Sequence, residues 1–319
     1  MAKMDEMRFA VRIAQMYYEQ GIREPEIARQ TGLSQASISR LLTKAKKEGI
    51  VRILVTVPQG IYSDLEKQLI KQYGLFDAIV VDTLQEDDEP YIKKDISAAA
   101  AYYLETVVKP NEIIGIATWS STLLGLINSM RPLHKPMNIR LVQLMGGIGN
   151  RSAEIHANRL TNQVADFLKG TAAYLPSPGI VGSEASRKVI CEDVYVKETM
   201  QLFDKIDTAI VGVGALEPSN LLAESGNILS VEELNALRQS GAVGEILLHF
   251  YGANGQLIET PLDNRVITMG LCQLQKVKRS IAVAGGKRKY AAILGALKGK
   301  WINVLITDQF TAKKLIKEQ

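Results

Sequence analysis

From residue 78 onward, the chain alternates short apolar segments with longer segments in which apolar residues recur at helical spacing. The apolar segments predict strands at Ala78–Val81, Ile113–Ala117, Ile139–Met145, Thr208–Val213, Ile246–Tyr251, Ser280–Ala284 and Asn303–Thr307. Predicted helices between them include 93–107, 120–130, 154–169, 230–239 and 287–297. Strands that alternate with crossover helices indicate a mostly parallel sheet covered on both faces, and such sheets bind ligands at the carboxyl ends of their strands.

The length of the chain and the position of its charge indicate a separate N-terminal domain. Chains above roughly 250–300 residues usually divide into more than one core, and this one has 319 residues. Residues 1–58 contain ten basic and six acidic residues, whereas the remaining residues contain 28 of each, so the net charge of +4 lies in the first segment. Such local charge favours a polyanionic partner, although solubility alone also explains it. We predict an N-terminal domain at 1–58 and a Rossmann-like α/β domain at 59–319, with 59–73 as a linker helix.

The N-terminal segment has the pattern of three short helices, at 5–19, 26–31 and 35–47. Between the second and third helices, Gly32 tolerates the positive φ of a tight turn, and Ala28 is small enough for a close helix crossing. The apolar positions between the two helices are Ile27, Leu33, Ile38 and Leu41. This pattern predicts a helix-turn-helix domain, in which the second helix of the motif enters the major groove of DNA.

The predicted recognition helix carries side chains that suit DNA. Arg and Gln can make bidentate contacts with guanine and adenine edges, Ser is adaptable, and basic side chains meet phosphates. Residues 34–47 contain four basic residues and no acidic one. The candidate DNA-binding residues are Ser34, Gln35, Ala36, Ser37, Ser39, Arg40 and Lys44. A three-helix module that docks onto a protein through a solvated basic face is the alternative.

Several predicted strands end in loops that suit an anionic ligand. The strand at Ile113–Ala117 is followed by Thr118, Trp119, Ser120, Ser121 and Thr122 at the start of a helix. Free backbone N–H groups and the helix dipole favour an anion there, although ordinary N-capping needs only one hydroxyl. The last of these loops, at 285–289, has two glycines followed by three cations, which resembles a phosphate cradle, although solvation alone also explains Lys287 and Arg288. Lys289 is the candidate phosphate ligand.

Another glycine-rich loop, at 146–149, follows the strand at Ile139–Met145. Gly147 and Gly149 can be fitted to a dinucleotide-binding fingerprint, but Ser152 stands where the third glycine of that fingerprint belongs. The match is therefore poor, and we do not expect a nicotinamide cofactor.

Evidence for catalysis, metal binding or secretion is sparse. His134, His156 and His249 have no carboxylate or nucleophile partner at motif spacing, and we expect them to be structural. The chain lacks a Walker loop, a nucleophile elbow and a zinc signature. Two cysteines, no signal-peptide pattern and no apolar run near the roughly 20 residues that span a bilayer predict a soluble, reduced, intracellular protein without a membrane partner.

Nearly the whole chain resembles the SorC/DeoR-type transcriptional regulators with a C-terminal sugar-binding domain. The stretches that carry the resemblance are IAQMYYEQG (13–21), EIARQTGLSQASISRLL (26–42), IGIATWSSTL (114–123), VQLMGGIG (142–149), LPSP (175–178), GAVGEILLHFYGANG (241–255), RVITMGLCQL (265–274), IAVAGGKRK (281–289) and INVLITD (302–308). They follow the order that they have in the family.

The resemblance implies a cytoplasmic bacterial regulator that binds operator DNA as a dimer or tetramer. It also implies an effector domain that is similar to sugar-phosphate isomerases and deaminases but is not catalytic, with a phosphorylated sugar as the usual effector. By this resemblance, Ser120, Ser121 and Thr122 form the phosphate loop. Gly146, Gly147 and Gly149 line the pocket, and Lys289 is a phosphate cation.

Three positions depart from the pattern of the family. Gly252 and Cys272 stand where many members have Asp and Glu, and Met145 stands where some have Lys or Arg. Carboxylates suit sugar hydroxyls, and a cation suits a second phosphate or a Schiff base. These departures predict a more apolar pocket with one anionic anchor, and they argue against a bisphosphate effector or an imine at residue 145.

Our hypothesis is a repressor or activator of a carbohydrate or polyol catabolic operon, controlled by a small phosphorylated sugar or polyol and requiring no cofactor or metal. Two alternatives stay open at this point. One is a sugar-phosphate isomerase or deaminase with a DNA-binding appendage, which would need a poised acid or base in the pocket. The other is a repressor that senses a nucleotide.

Overall fold

The computed structural model divides the chain into two compact units, Met1–Pro58 and Gln59–Gln319. The structure describes residues 2–51, 58, 60–86, 88–147, 151–216 and 229–318, and for 2–6 and 151–157 it describes the backbone only. In these ranges, no helix has both the length and the apolar character that crossing a bilayer requires.

The N-terminal unit is helical. Its described helices are α1 (Ala2–Ala14), which continues into a π-helical turn at Gln15–Glu19, α2 (Glu24–Thr31) and α3 (Gln35–Lys47). Their apolar faces meet in a small core of Ile13, Met16, Ile27, Ile38 and Leu42. Gly32 ends α2 with a φ of 70°, a left-handed conformation that glycine adopts without steric cost. The chain therefore has the predicted helix-turn-helix connection between α2 and α3.

The strands of the C-terminal unit form two sheets. In chain order they are β1 (Asp77–Val81), β2 (Ile113–Ile116), β3 (Arg140–Gln143), β4 (Thr171–Ala173), β5 (Thr208–Gly212), β6 (Gly214–Ala215), β7 (Ala242–Ile246), β8 (His249–Gly252), β9 (Leu257–Ile258), β10 (Arg279–Val283) and β11 (Val304–Asp308). The main sheet has the order β1-β11-β10-β5-β2-β3-β4, and its paired strands are parallel. The small sheet has the order β6-β7-β8-β9 and is antiparallel. The predicted α/β fold with a parallel sheet is confirmed.

Helices connect these strands. They are α4 (Ser63–Tyr73), α5 (Glu89–Val107), α6 (Ser121–Ser129), α7 (Arg151–Phe167), α8 (Glu184–Glu192), α9 (Val194–Met200), α10 (Val231–Gln239), α11 (Leu271–Leu274), α12 (Tyr290–Lys298) and α13 (Gln309–Leu315). Helix α5 begins four residues before its predicted start, because Asp88 caps it and Pro90 fits its first turn. The helix predicted at 287–297 begins with a 3₁₀ turn at Lys287–Lys289, ahead of α12.

The helix predicted as a linker packs into the C-terminal unit as α4. Leu69 of α4 is fully buried in the main core. Glu66 accepts a hydrogen bond from the backbone N–H of Val80 at 2.9 Å, and the Tyr73 hydroxyl donates to the carbonyl of Leu315 at 2.7 Å. These contacts join α4 to β1 and α13, so the helix is part of the folded unit.

The single strand predicted at Ile246–Tyr251 is wrong, because the chain reverses direction inside it. Leu247 and Leu248 have φ values of 54° and 63°, and this pair forms the tight turn between β7 and β8. A left-handed conformation costs roughly 1–2 kcal/mol per residue outside glycine. Both leucine side chains are buried, which offsets this strain. An apolar run cannot distinguish such a turn from a strand.

Replacing Leu69 tests whether α4 belongs to the core. Leu69→Ala is expected to lower the free energy of unfolding by about 2–5 kcal/mol, because it leaves a cavity where a fully buried side chain packed. Urea denaturation of the full chain measures the change. Gln68→Ala, at an exposed position of the same helix, is the control and should alter stability by less than about 0.5 kcal/mol. Equal stability of the two variants would contradict this packing.

Candidate functional site

The strand order creates a crevice at the carboxyl ends of β2 and β5. These strands are neighbours in the main sheet. The next strand of this sheet along the chain lies on one side for β2, where it is β3, and on the other side for β5, where it is β10. The connections therefore diverge, and in open α/β sheets the ligand site lies at such a point. The predicted loop at 118–122 follows β2, and its first neighbour, Ala117, donates a backbone hydrogen bond to Ile210 of β5 at 3.0 Å.

The loop between β2 and α6 holds buried polar atoms without partners. Ser120 caps α6, since its hydroxyl accepts the N–H of Leu123 at 3.4 Å. Trp119 and Thr122 are 9% and 1% exposed, yet the Trp119 Nε1 and the Thr122 Oγ1 make no hydrogen bond within the described residues. Buried donors usually have a partner, so unpartnered ones indicate a missing ligand or solvent. The Ser120 hydroxyl is used to cap α6, whereas the Trp119 Nε1 and the Thr122 Oγ1 remain available to a ligand.

Glycines let β5 and β6 approach this loop and the small sheet. A side chain at Gly212 would meet the Ser120 hydroxyl at 2.8 Å, and one at Gly214 would overlap the carboxylate of Glu245. The sequence analysis did not consider Glu245, which lies in an otherwise apolar strand. Burying a carboxylate at such a position lowers the stability of the fold. An acidic residue in an apolar strand was therefore the sequence signal that could have indicated a functional role for Glu245.

Lys289 and Glu245 bring opposite charges to the same place. The ammonium of Lys289 is 9% exposed and has neither a hydrogen bond nor an ion pair within the described residues. Burial, with Lys93 and Arg288 nearby, lowers the pKa of Lys289 to about 8, and Glu245 partly offsets this shift. Burial also raises the pKa of Glu245, although its Oε2 accepts the N–H of Leu248 at 2.9 Å. The charges of Lys289 and Glu245 interact through space. The Lys289 ammonium and the second carboxylate oxygen of Glu245 have no hydrogen bond within the described residues.

The glycine pair before Lys289 does not form a free phosphate cradle. The backbone N–H of Gly286 donates to the carboxylate of Asp308 at 2.8 Å and to the hydroxyl of Thr311 at 3.0 Å. A side chain at Gly285 would approach the same carboxylate to 2.5 Å. The two glycines therefore allow the buried Asp308 to approach the backbone. The N–H of Gly286 that a phosphate would need is already hydrogen-bonded to Asp308 and Thr311.

A pocket of about 290 Å³ lies beside this turn. Its lining residues are Glu86, Glu89, Ile92, Gly285, Gly286, Lys287 and Arg288. Arg288 and Lys93 are ion-paired with Glu89 at 2.8 and 3.1 Å, and they lower the pKa of Glu89 to about 2. The charges of this pocket are therefore largely neutralised internally, and we assign the candidate site to the crevice.

The glycines predicted after β3 lie at the same sheet edge. Gly146 is buried, and the backbone of Ser177 and Pro178 occupies the space that a side chain would need. Gly147 exchanges backbone hydrogen bonds with Ser177 and Gly179. These glycines permit close backbone packing, and the Ser177 hydroxyl beside them is buried without a partner. Gly149 lies outside the described residues.

His249, which has no partner at motif spacing in the sequence, has two hydrogen-bond partners in the folded chain. Its Nδ1 lies 3.3 Å from the Asp263 carboxylate, and its Nε2 lies 3.0 Å from the Thr268 hydroxyl. These partners are 14 and 19 residues away in sequence, so only the tertiary fold reveals them. The side chain of His156 is outside the described part of the chain. Among the described residues, no group of three or more His, Cys, Asp and Glu is placed to hold a metal ion.

Helix α3 presents one polar, basic face in the N-terminal unit. Ile38, Leu42 and Ala45 face the core, whereas the exposed residues are Gln35, Ala36, Ser39, Arg40, Thr43, Lys46 and Lys47. Lys44, another predicted contact, is half-buried and lies 4.0 Å from Glu48.

Hydrogen bonds restrain two of the predicted contacts on α3. The Ser34 hydroxyl caps the helix and lies 2.9 Å from that of Ser37, so these two hydroxyls are engaged with each other. The Arg40 Nε donates to the carbonyl of Ala36 at 3.2 Å, which orients the guanidinium along the exposed face.

Known proteins are similar to this chain over both of its units. The family model described as "Putative sugar-binding domain" matches residues 58–317. The sorbitol operon regulator of Klebsiella pneumoniae is 30% identical, with 99% of this chain and 100% of the regulator covered. The deoxyribonucleoside regulator of Bacillus subtilis (strain 168) is 31% identical, with 98% and 99% covered. The crystal structure of full-length SorC from Klebsiella pneumoniae covers 98% of this chain and 99% of its own, with a TM-score of 0.73 and 29% identity.

The chain belongs to the SorC/DeoR family of sugar-binding transcriptional regulators. These relatives are named as regulators and not as enzymes, which confirms the prediction of a regulator and removes the enzyme alternative. They also decide the function of the N-terminal unit in favour of DNA over protein docking, since the alignments cover nearly the whole chain.

The buried ammonium of Lys289 gives a prediction about stability. Lys289→Met is expected to raise the free energy of unfolding at pH 7 by on the order of 1–3 kcal/mol, because it removes a desolvated charge while keeping most of the volume. In the parent, this cost is complete below pH 8. It disappears as the pH rises from about 8 towards 10.5, the ordinary value, because only the unfolded chain then binds the proton.

Urea denaturation at pH 7 and pH 9.5 measures this effect, and the advantage of the variant should shrink at the higher pH. Lys298→Met, at an exposed position of α12, is the matched control and should leave stability nearly unchanged at both values. A Lys289→Met protein that is less stable than the parent at pH 7 would show that the ammonium has favourable contacts.

Proposed function

We propose that this chain is a DNA-binding regulator of a carbohydrate or polyol catabolic operon, and that its effector is a small phosphorylated sugar or polyol bound without a cofactor. The observation that carries the effector site is the set of buried, unpartnered polar atoms that follow β2 and β4 at the carboxyl ends of the strands, with the unpaired Lys289 ammonium on the same edge. The named relatives, a sorbitol operon regulator and a deoxyribonucleoside regulator, support this class of operon.

The anionic group of the effector would bind between the 118–122 loop and Lys289. The Trp119 Nε1 can only donate a hydrogen bond, and the Thr122 hydroxyl can also donate. An ammonium with a pKa of about 8 is charged at neutral pH, and no carboxylate of the described residues is within ion-pair distance of it. A phosphate supplies acceptors to these donors and charge to Lys289, so it satisfies groups that the protein leaves open.

The hydroxyl groups of the effector would meet Glu245. One oxygen of this carboxylate is held by Leu248, and the other accepts no hydrogen bond within the described residues. A free carboxylate oxygen is an acceptor that suits a sugar hydroxyl. Glu245 would thus supply an acid in a pocket that the departures at Gly252 and Cys272 predict to be more apolar.

Regulation requires that the effector bind with different affinity to DNA-competent and DNA-incompetent arrangements of a homo-oligomer. We propose a dimer or tetramer in the cytoplasm, because paired recognition helices read two-fold related half-sites. In each copy, α3 would lie in the major groove. Arg40 and Gln35 would read base edges, and Lys44, Lys46 and Lys47 would meet phosphates.

Arg40 is the sharpest test of DNA reading. Arg40→Ala is expected to weaken operator binding by about 1–3 kcal/mol, because a bidentate contact with a base is lost. Fluorescence anisotropy at fixed salt, with an operator selected from a random-duplex library, measures both operator and random-duplex affinity. Lys47→Ala is the control and should weaken both affinities while keeping their ratio. If Arg40→Ala leaves that ratio unchanged, Arg40 does not read sequence.

A thermal-shift screen tests the effector class. The panel contains a hexitol phosphate, a pentose phosphate, both unphosphorylated parents, inorganic phosphate and a dinucleotide. We expect a phosphorylated sugar or polyol to raise Tm, since a ligand at 100 times its Kd adds about 2.7 kcal/mol of stability. The shift should vanish in Lys289→Met, persist in Lys298→Met and weaken above pH 8, where Lys289 loses its charge. A shift with the dinucleotide alone would favour a nucleotide-sensing repressor.

A further inference from the structure

The hydrogen-bonded chain of Asp263, His249 and Thr268 lies outside the contacts assigned so far. Asp263 is in the 3₁₀ turn at Pro261–Asn264, and its Oδ2 accepts both the backbone N–H and the hydroxyl of Thr260, at 2.7 and 3.1 Å. Its Oδ1 faces the His249 ring. Burial acts to raise the pKa of Asp263, but hydrogen bonds from His249 and Thr260 outweigh it and lower that pKa below its ordinary value.

The carboxylate determines the direction of every hydrogen bond in this chain. An ionised Asp263 only accepts, so when the His249 ring is neutral its proton is on Nδ1, 3.3 Å away. The Nε2 of His249 is then an acceptor, and the Thr268 hydroxyl donates its single proton to it across 3.0 Å. The oxygen of Thr268 therefore has lone pairs but no proton for any further partner.

The position of Thr268 relates this hydroxyl to the candidate site. Thr268 pairs with Met145 directly after β3, between backbone hydrogen bonds that join Met269 to Leu144 at 2.7 Å and Gly146 to Ile267 at 3.0 Å. Leu144 in turn donates to Ile116 at the end of β2, which precedes the 118–122 loop. Thr268 is thus part of the same sheet edge as the unpartnered polar atoms.

From the other side, His249 follows the turn that places Glu245. The Glu245 carboxylate accepts the N–H of Leu248, the neighbour of His249, and the charges of the two side chains interact. The three hydrogen-bonded side chains therefore extend from Asp263, which is partly exposed, to Thr268, which is 8% exposed at the sheet edge.

We propose that Thr268 is a specificity-determining contact that accepts a hydrogen bond from a hydroxyl group of the effector, with His249 and Asp263 as positioning residues. This inference rests on the proposed function. A hydroxyl whose proton is already donated can still accept from an O–H donor, but it disfavours a phosphate or carboxylate oxygen, which has no proton to donate. Thr268 would therefore select the carbon-bound hydroxyl part of the ligand, next to the apolar side chain of Met145, and would contribute nothing to phosphate binding.

Calorimetric titration of the full chain with D-glucitol 6-phosphate, 2-deoxy-D-ribose 5-phosphate and inorganic phosphate tests this. Thr268→Val keeps the shape of the side chain and removes the acceptor, so Kd for the bound sugar or polyol phosphate should rise about tenfold. Thr268→Ser keeps the acceptor and should stay within about twofold of the parent. Affinity for inorganic phosphate should be the same in all three proteins.

Asp263→Asn tests the positioning of Thr268. The Asn oxygen can keep the contacts with Thr260, and its amide then donates to the Nδ1 of His249, which moves the ring proton to Nε2. Thr268 would then receive a hydrogen bond and point its own proton outwards. Asp263→Asn should therefore weaken the sugar phosphate about as much as Thr268→Val does, and it should add no further loss in the double variant. If Asp263→Asn acted only by disturbing the structure, its loss of affinity would add to that of Thr268→Val.

The outcomes separate this inference from the proposed function. Equal sugar-phosphate affinity of the parent and Thr268→Val, with binding lost in Lys289→Met, overturns the contact at Thr268 alone. Additive losses in the double variant overturn the positioning by Asp263. A parent that binds none of the three phosphates overturns the proposed function, and this inference with it. Operator affinity and Tm without ligand, which should match the parent, verify that each variant folds.

Discussion

The fold of the C-terminal unit depends on one constraint: a parallel sheet that buries both faces must satisfy its polar groups, and this sheet leaves some of them without hydrogen bonds at both edges. At the amino edge, Arg279 and Glu112 are buried together, 3.8 Å apart, and Arg279 donates to Thr208 at 3.1 Å. The opposite charges compensate each other there, although the Arg279 Nε and the Glu112 Oε2 have no hydrogen-bond partner within the described residues. At the carboxyl edge, the Trp119 Nε1 and the Thr122 Oγ1 have no partner within the described residues. Buried polar groups without hydrogen bonds lower stability. The ones at the carboxyl edge also lie where β2 and β5 diverge, the place where open α/β sheets bind ligands, and this second feature is what indicates the functional edge.

Charge at that edge follows the same logic. Lys289 is held out of water without a close counter-ion, and Glu245 has one free oxygen. By contrast, Asp308 is fully buried and yet satisfied, because it accepts the N–H groups of Gly286, Phe310 and Thr311. Lys289 and Glu245 differ from Asp308 in keeping polar atoms without hydrogen bonds among the described residues. The proposed ligand, with an anionic end and hydroxyl groups, would satisfy both.

The sequence predicted the architecture well, because hydrophobic periodicity determines strands and crossover helices, and the basic α3 with Gly32 determines the helix-turn-helix connection. It failed where a local pattern has two physical causes. The buried leucines at 247–248 resemble a strand but form a turn, and the glycines before Lys289 resemble a phosphate cradle but accommodate Asp308. The partners of His249 are joined to it only by tertiary contacts.

Ligand control needs more than a filled pocket, since a ligand shifts an equilibrium only by its difference in affinity for two states. The contacts beside Lys289 show where a second arrangement could begin. Gly286 is held by Asp308, the adjacent Gln309 donates to Asp82 at 2.8 Å, and Asp82 also accepts the hydroxyl of Tyr62 at 2.8 Å. Tyr62 lies four residues after Pro58, where the N-terminal unit ends. A ligand that moves the turn at Lys287–Lys289 therefore strains a continuous set of hydrogen bonds that reaches the start of the C-terminal unit. The regulator responds to its effector only if that set is stable in two arrangements with different affinity for the ligand.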